Sequence, residues 1–185
     1  MHIIKTKGTQ VTKIISWHPP QPPFVTLNTD CNSKNNPSKS GGGGVLRDSQ
    51  GRWIKCFLIH TGNASNKYGL KKTWELEYKH INLEIDSQIS LNWLTTYGVL
   101  ASEISILILD CRMLLCEEEI VLPHHVFREA NGITNELAKR GRKHLCIFRK
   151  YNECPNFVYV KYVCYILQLG THRKCLVDNT CSRIP

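Results

Sequence analysis

The sequence predicts an α/β domain: a mixed five-stranded sheet, three antiparallel strands followed by parallel ones, flanked by helices. Three observations carry this. The chain has 185 residues, enough for one full hydrophobic core. Stretches such as Phe24 to Thr29 and Ile81 to Ile85 alternate in polarity with the two-residue period of half-buried strands. Three such stretches come in succession, and the rest alternate with helix-forming segments. The resulting order, β-β-β-α-β-α-α-β-α, gives a meander followed by crossovers.

Residues 1–21 read as a flexible lead-in that ends in Trp17-His18-Pro19-Pro20-Gln21-Pro22-Pro23, where the prolines remove backbone donors and enforce an extended path. The folded domain is expected over 22–145. Its first strand ends at Asp30. A second runs from Gly42 to Arg47, and Asp48-Ser49-Gln50-Gly51 turns it into a third, Arg52 to His60. Gly41 to Gly44 lack the Lys-Ser/Thr of a phosphate loop, and Val45-Leu46 continue a strand instead. A helix is expected over Asn66 to Tyr78 and a strand from Ile81 that ends at Asp86. Ser87 caps a helix to Tyr97. A further helix is expected over Glu103 to Cys116, a strand over Ile120 to Phe127, and a last helix from a cap at Asn131 through Arg142. Residues 146–185 form a basic, cysteine-rich tail without a firm pattern.

The formal net charge is +9, and from Gly141 onward eight Lys or Arg stand against only Glu153 and Asp178. Such an excess suits nucleic acid, by phosphate neutralisation and counterion release. No apolar run reaches the roughly 18 residues of a membrane span. Met1 to Ile15 is basic without an apolar core, so a secreted protein is not expected; the nucleus or cytoplasm is. Nine cysteines occur without a C-x-x-C pair, which points to reduced thiols rather than a zinc site.

Two acids stand at expected strand ends, Asp30 and Asp86. Ligand sites of α/β sheets gather at the carboxyl ends of strands. If the two strands are neighbours, the carboxylates converge into a site for a hard cation such as Mg²⁺ or Mn²⁺.

Leu27-Asn28-Thr29-Asp30 followed by Gly42-Gly43-Gly44-Val45-Leu46-Arg47-Asp48 resembles the opening hairpin of plant ribonuclease H-like domains of retroelement type. Ile81 to Ser87 is similar to their fourth strand, and Asp110-Cys111-Arg112-Met113-Leu114-Leu115 to a recurrent helix. His125-Val126-Phe127-Arg128-Glu129-Ala130-Asn131 with Asn135-Glu136-Leu137-Ala138 is similar to their last strand and helix. Trp17 and its prolines match the lead-in. The resemblance spans about residues 17–143. It implies a ribonuclease H-like fold and metal-dependent endonucleolytic cleavage of RNA in RNA–DNA hybrids.

The resemblance also implies four acids in the site. Asp30 matches the first and Asp86 the third. The helix segment that carries the second is missing between Ser65 and Gly69, a loss of about two turns. Glu75 and Glu77 lie too far downstream to replace it. The fourth position is Asn135. Cys31 is expected to be a buried small group, and His125, near a family proton-shuttling position, to be structural. The expectation is a nucleic-acid-binding domain with impaired cleavage. Its alternatives are a non-catalytic binding domain and a degenerate retroelement-derived product.

Overall fold

The computed structural model describes residues 9–34, 39–60, 77–96, 109, 111–113, 115, 120–143 and 147–177. Its strands are β1 (Thr9–Ile15), β2 (Val25–Lys34), β3 (Lys39–Arg47), β4 (Trp53–Ile59), β5 (His80–Ile85), β6 (Ile120–His125), β7 (Phe148–Tyr151) and β8 (Thr171–Val177). Among the described residues, the helices with defined bounds are α1 (Gln88–Thr95), α2 (Gly132–Lys143) and α3 (Asn156–Ile166); residues 109, 111–113 and 115, within the helix expected over Glu103 to Cys116, are helical too. The helix expected over Asn66 to Tyr78 lies outside the described residues except at its end.

The central sheet has six strands in the order β6-β5-β2-β3-β4-β7. The meander is antiparallel from β2 to β4, and β5 and β6 add in parallel on the other side of β2. The sixth strand, β7, comes from the segment expected to be a tail, and it pairs antiparallel with β4 through Cys56–Tyr151 to Ile59–Phe148. That pairing covers an edge that β4 would otherwise leave open. The β3–β4 turn forms as its sequence dictates. Gly51 takes φ +77°, which favours glycine, and Asp48 Oδ1 accepts the backbone N–H groups of Gln50 and Arg52, each at 2.9 Å.

The alternation of the strands sorts side chains onto two faces. One face carries Leu27, Leu46, Phe57, Leu83 and Ile85 beneath Leu94 of α1 and Cys111. The other carries Val45 and Cys56 beneath Ile133 and Leu137 of α2, and Val158 and Tyr165 of α3. Helix α2 lies directly on β3. A Cβ at Gly43 would stand 2.5 Å from the Leu137 Cβ, so only glycine lets the helix come this close. The glycine run is thus a packing surface.

The lead-in and the tail also enter the packing. Strand β1 pairs antiparallel with β8, from Thr9–Val177 to Ile15–Thr171, and Trp17 is only 2% exposed. Helix α3 buries Val158 and Tyr165, two turns apart on one stripe. Its other positions are mostly β-branched or aromatic, so its sequence imitates a strand. Arg173 of β8 pairs with Glu129 at 2.8 Å and lies over the Phe127 ring at 4.5 Å, which docks the small sheet against the segment after β6. No described helix is long and apolar enough to cross a membrane.

Candidate functional site

Strands β2 and β5 are parallel neighbours whose register pairs Thr29 with Ile85. Asp30 and Asp86 are the next residue on each chain. They stand where the parallel pairing of β2 with β5 stops, about 4.8 Å apart in backbone spacing; the first strand was expected to end at Asp30, but it runs on to Lys34 because it stays paired with β3 on its other side. The structure therefore brings the two acids together, and their carboxyls are hydrogen-bonded.

Their electrostatics follow from that contact. Asp30 is 8% exposed. Burial, and then the neighbouring Asp86 charge, push its carboxyl up to about 7, against the opposing pull of the Cys31 N–H and Arg128. Asp86 is also raised, chiefly by burial, while Arg128, the Asn131 amide and the bond from Asp30 hold it down. The two acids titrate as a unit, and burial with mutual repulsion makes the pair hold a proton to higher pH than separate exposed carboxyls would.

One side chain at the start of α2 completes the surround. Asn131 donates its amide to the Thr29 carbonyl at 2.9 Å and also reaches Asp86. Asn131 was expected to cap α2 with its side chain. Instead its backbone carbonyl accepts the Asn135 N–H and the Thr134 hydroxyl, and the side chain is spent on β2 and Asp86. Asn135 follows one turn later on the same side of α2. Asp30 Oδ2, Asn131 Oδ1 and Asn135 Oδ1 are all buried without a hydrogen-bond partner. Three such oxygens are the hard donors that Mg²⁺ or Mn²⁺ prefers. Among the described residues, no group of three or more His, Cys, Asp or Glu could hold a metal.

A polar layer that the sequence reading missed lies just below the acids. Asn28 and Glu84 are register partners two residues before Asp30 and Asp86, on the same face. Asn28 and the Trp17 indole both donate to Glu84 Oε2, the indole at 2.9 Å. Arg47 donates to Asn28 Oδ1 at 2.5 Å and lies 3.3 Å over the Trp17 ring. Full burial lowers the Arg47 guanidinium to about 10, against the pull of Glu84. His124 closes the layer at 3.5 Å from Glu84 Oε1 and is raised by that contact. The parity of Glu84 with Asp86, and of Asn28 with Asp30, was the available signal.

The remaining sequence candidates fall elsewhere. His125 pairs with Ile85 and so shares the face opposite the acids, with its ring edge-on to Phe127 at 5.9 Å. Cys31 was expected to be buried but is exposed, because it follows Asp30 onto the other face, beyond the last residue that β5 pairs with. Glu77 is exposed at φ 59°, away from the acid pair. Glu75 and the stretch between Ser65 and Gly69 lie outside the described residues.

A mixed sheet with two acids where two parallel strands stop pairing, and a helix packed on the same face, defines the ribonuclease H-like class. The reverse-transcriptase-like family matches residues 28–141, well over half of the sequence, and the chain belongs to that family. It is 34% identical over 137 residues to an Arabidopsis thaliana protein whose name assigns it provisionally to ribonuclease H. That match covers 70% of this chain, and the chain spans only about a fifth (22%) of the relative's length. Among solved structures, it is similar to RNase H1 of Halobacterium salinarum, with TM-score 0.59 and 22% identity over 64% of this chain and 96% of that one. LC11-RNase H1 in complex with an RNA/DNA hybrid gives TM-score 0.58 at 16% identity, over 64% of this chain and 96% of that one. Both likenesses are of fold.

Proposed function

We propose that this chain is a nucleic-acid-binding ribonuclease H-like domain for RNA–DNA hybrids, that it holds one divalent cation weakly, and that it cleaves the RNA strand poorly. The observation that carries this reading is the approach of Asp30 to Asp86 where the parallel pairing of β2 with β5 stops. Family membership supplies the substrate class, as does the likeness to a fold seen with a hybrid.

The donor set fits one ion. Asp30 and Asp86 supply carboxylate oxygens, and Asn135 supplies a neutral carbonyl oxygen. A cation at this place would polarise a phosphate oxygen of the hybrid backbone. The two carboxylates balance the charge of one divalent cation and only half that of two. Proton sharing between them lowers their charge further near neutral pH, so a cation must compete with that proton. Arg128 adds positive charge beside the site, which favours a phosphate over a second cation. The Asn28–Glu84–Arg47 layer holds β2 and β5 in place.

Calorimetric titration with Mg²⁺ tests this. The expected result is one site of millimolar strength that strengthens from pH 6 to pH 8 and is lost in Asp30→Asn. Two tight sites, or binding unchanged in Asp30→Asn, would contradict it.

A further inference from the structure

Helix α2 lies over β3, so it divides its face of the sheet in two. The acid pair is on the β2–β5 side. On the β4–β7 side is a groove of about 670 Å³, with its floor at Leu58, Arg149 and Tyr151 and its walls at Arg140, Pro155 and Phe157. One register row crosses both halves, from Asp30 through Gly43 and Leu58 to Arg149. Three strand spacings, about 14 Å, separate its ends.

The groove alternates cations and rings. Arg140 lies over the Phe157 ring at 3.9 Å, Phe157 meets Tyr151 edge-on at 6.2 Å, and Arg149 lies over Tyr151 at 5.3 Å. Lys139, Arg142 and Lys143 share helix α2 with Arg140 and add to its positive charge. The local acids are Glu153 in the groove and Glu136, which is 4.0 Å from Arg140. A flat cationic surface would serve duplex phosphates. A concave one with guanidinium planes against aromatic rings offers bases a stacking surface and phosphates a charge at the same place.

We infer that this groove is a second nucleic-acid site, separate from the acid pair, that takes a single-stranded RNA or DNA segment by stacking bases on the arginine–aromatic row and neutralising the flanking phosphates. The inference rests on the reading of the chain as a nucleic-acid-binding domain, but at a different place on the fold.

The test is fluorescence anisotropy of the full chain with a labelled uridine octamer, the same octamer without bases, and an RNA–DNA hybrid. The uridine octamer should bind about tenfold more tightly than the abasic one. Arg140→Gln with Arg149→Gln should weaken it at least tenfold and flatten its log-affinity against log-salt slope by about 1.4, or 0.7 per single-strand phosphate contact. Arg140→Lys with Arg149→Lys should keep the slope and lose part of the affinity, because an ammonium does not stack. Lys13→Gln with Lys55→Gln, an equal charge loss elsewhere, should change little. With unaltered protein, a 4-thiouridine octamer should cross-link within 149–157. Equal binding of the two octamers, an unchanged Gln variant, or cross-links only elsewhere would overturn the inference. Loss of hybrid binding alone would count against the acid-pair reading and leave the groove intact.

Discussion

Asn131 donates its side-chain amide to the carbonyl of Thr29, the residue before Asp30, at 2.9 Å. The start of α2 is thereby tied to β2 at its last pair with β5. The same amide reaches Asp86, so one side chain spans both strands of the candidate site. Asn131→Ala should cost about 1–3 kcal/mol, because it leaves a buried carbonyl without its donor. Urea denaturation followed by circular dichroism measures this. A loss below about 0.5 kcal/mol would show that the tie does not hold the helix.

Asp30 gives stability a pH dependence whose sign is fixed. Its folded carboxyl, at about 7, lies above its ordinary 3.8, so the folded state binds the proton more tightly than the unfolded state does. The group's favourable contribution is complete below pH 3.8, is lost as pH rises through about 7, and then levels off. Asn mimics the protonated form. Without metal, Asp30→Asn should be more stable than the parent at pH 8, on the order of 2–4 kcal/mol, and equal to it near pH 4. Thermal melts in chelator at both pH values check this. A variant less stable at pH 8 would refute it.

The approach of α2 to β3 depends on Gly43. Gly43→Ala would place a methyl 2.5 Å from Leu137 Cβ and 2.7 Å from the Ala138 nitrogen, both on a helix with little room to move. The cost should be about 1–3 kcal/mol of overpacking strain. Asn131 and Asn135 ride on the same helix, so hybrid affinity should fall as well. Stability and binding measured on the same preparation decide it.

Arg47 is fully buried between Asn28 and Trp17 and offsets the buried Glu84. Arg47→Met should destabilise by about 3–5 kcal/mol, because it strands a carboxylate in the interior. Arg47→Met with Glu84→Gln should recover part of that loss. A chemical-denaturation cycle over the two positions measures the coupling, and additive losses would show that the charges act independently.

Much of the fold was legible because its signals were local. Alternation in β2 and β5, the Asp48–Gly51 turn and the crossover order all set structure over a few residues. Asp30 and Asp86 were legible because sites gather where parallel strands stop, which holds for Asp86 after β5, whereas β2 runs four residues past Asp30 on its pairing with β3. The rest depended on tertiary contacts. Trp17 sits in a proline-rich stretch that reads as linker until Glu84 is seen to accept its indole N–H. Strand β7 is four residues long, too short for a periodic signal. Helix α3 is rich in Val and Tyr, and packing of Val158 and Tyr165 overrides its strand-like composition. Asn131 reads as a cap by residue type, and only its contact with β2 shows what it binds.

The central claim is that a site with two acids and Asn135 does not support efficient cleavage. Adding a charge there, Asn135→Asp, should tighten Mg²⁺ about tenfold while lowering metal-free stability near pH 8. The most direct measurement is cleavage of a labelled RNA–DNA hybrid in Mg²⁺ and in Mn²⁺, with Asp30→Asn alongside. The account predicts that the parent binds the hybrid and cuts it no more than a few-fold faster than Asp30→Asn. Turnover by the parent that is rapid and abolished in Asp30→Asn would contradict it.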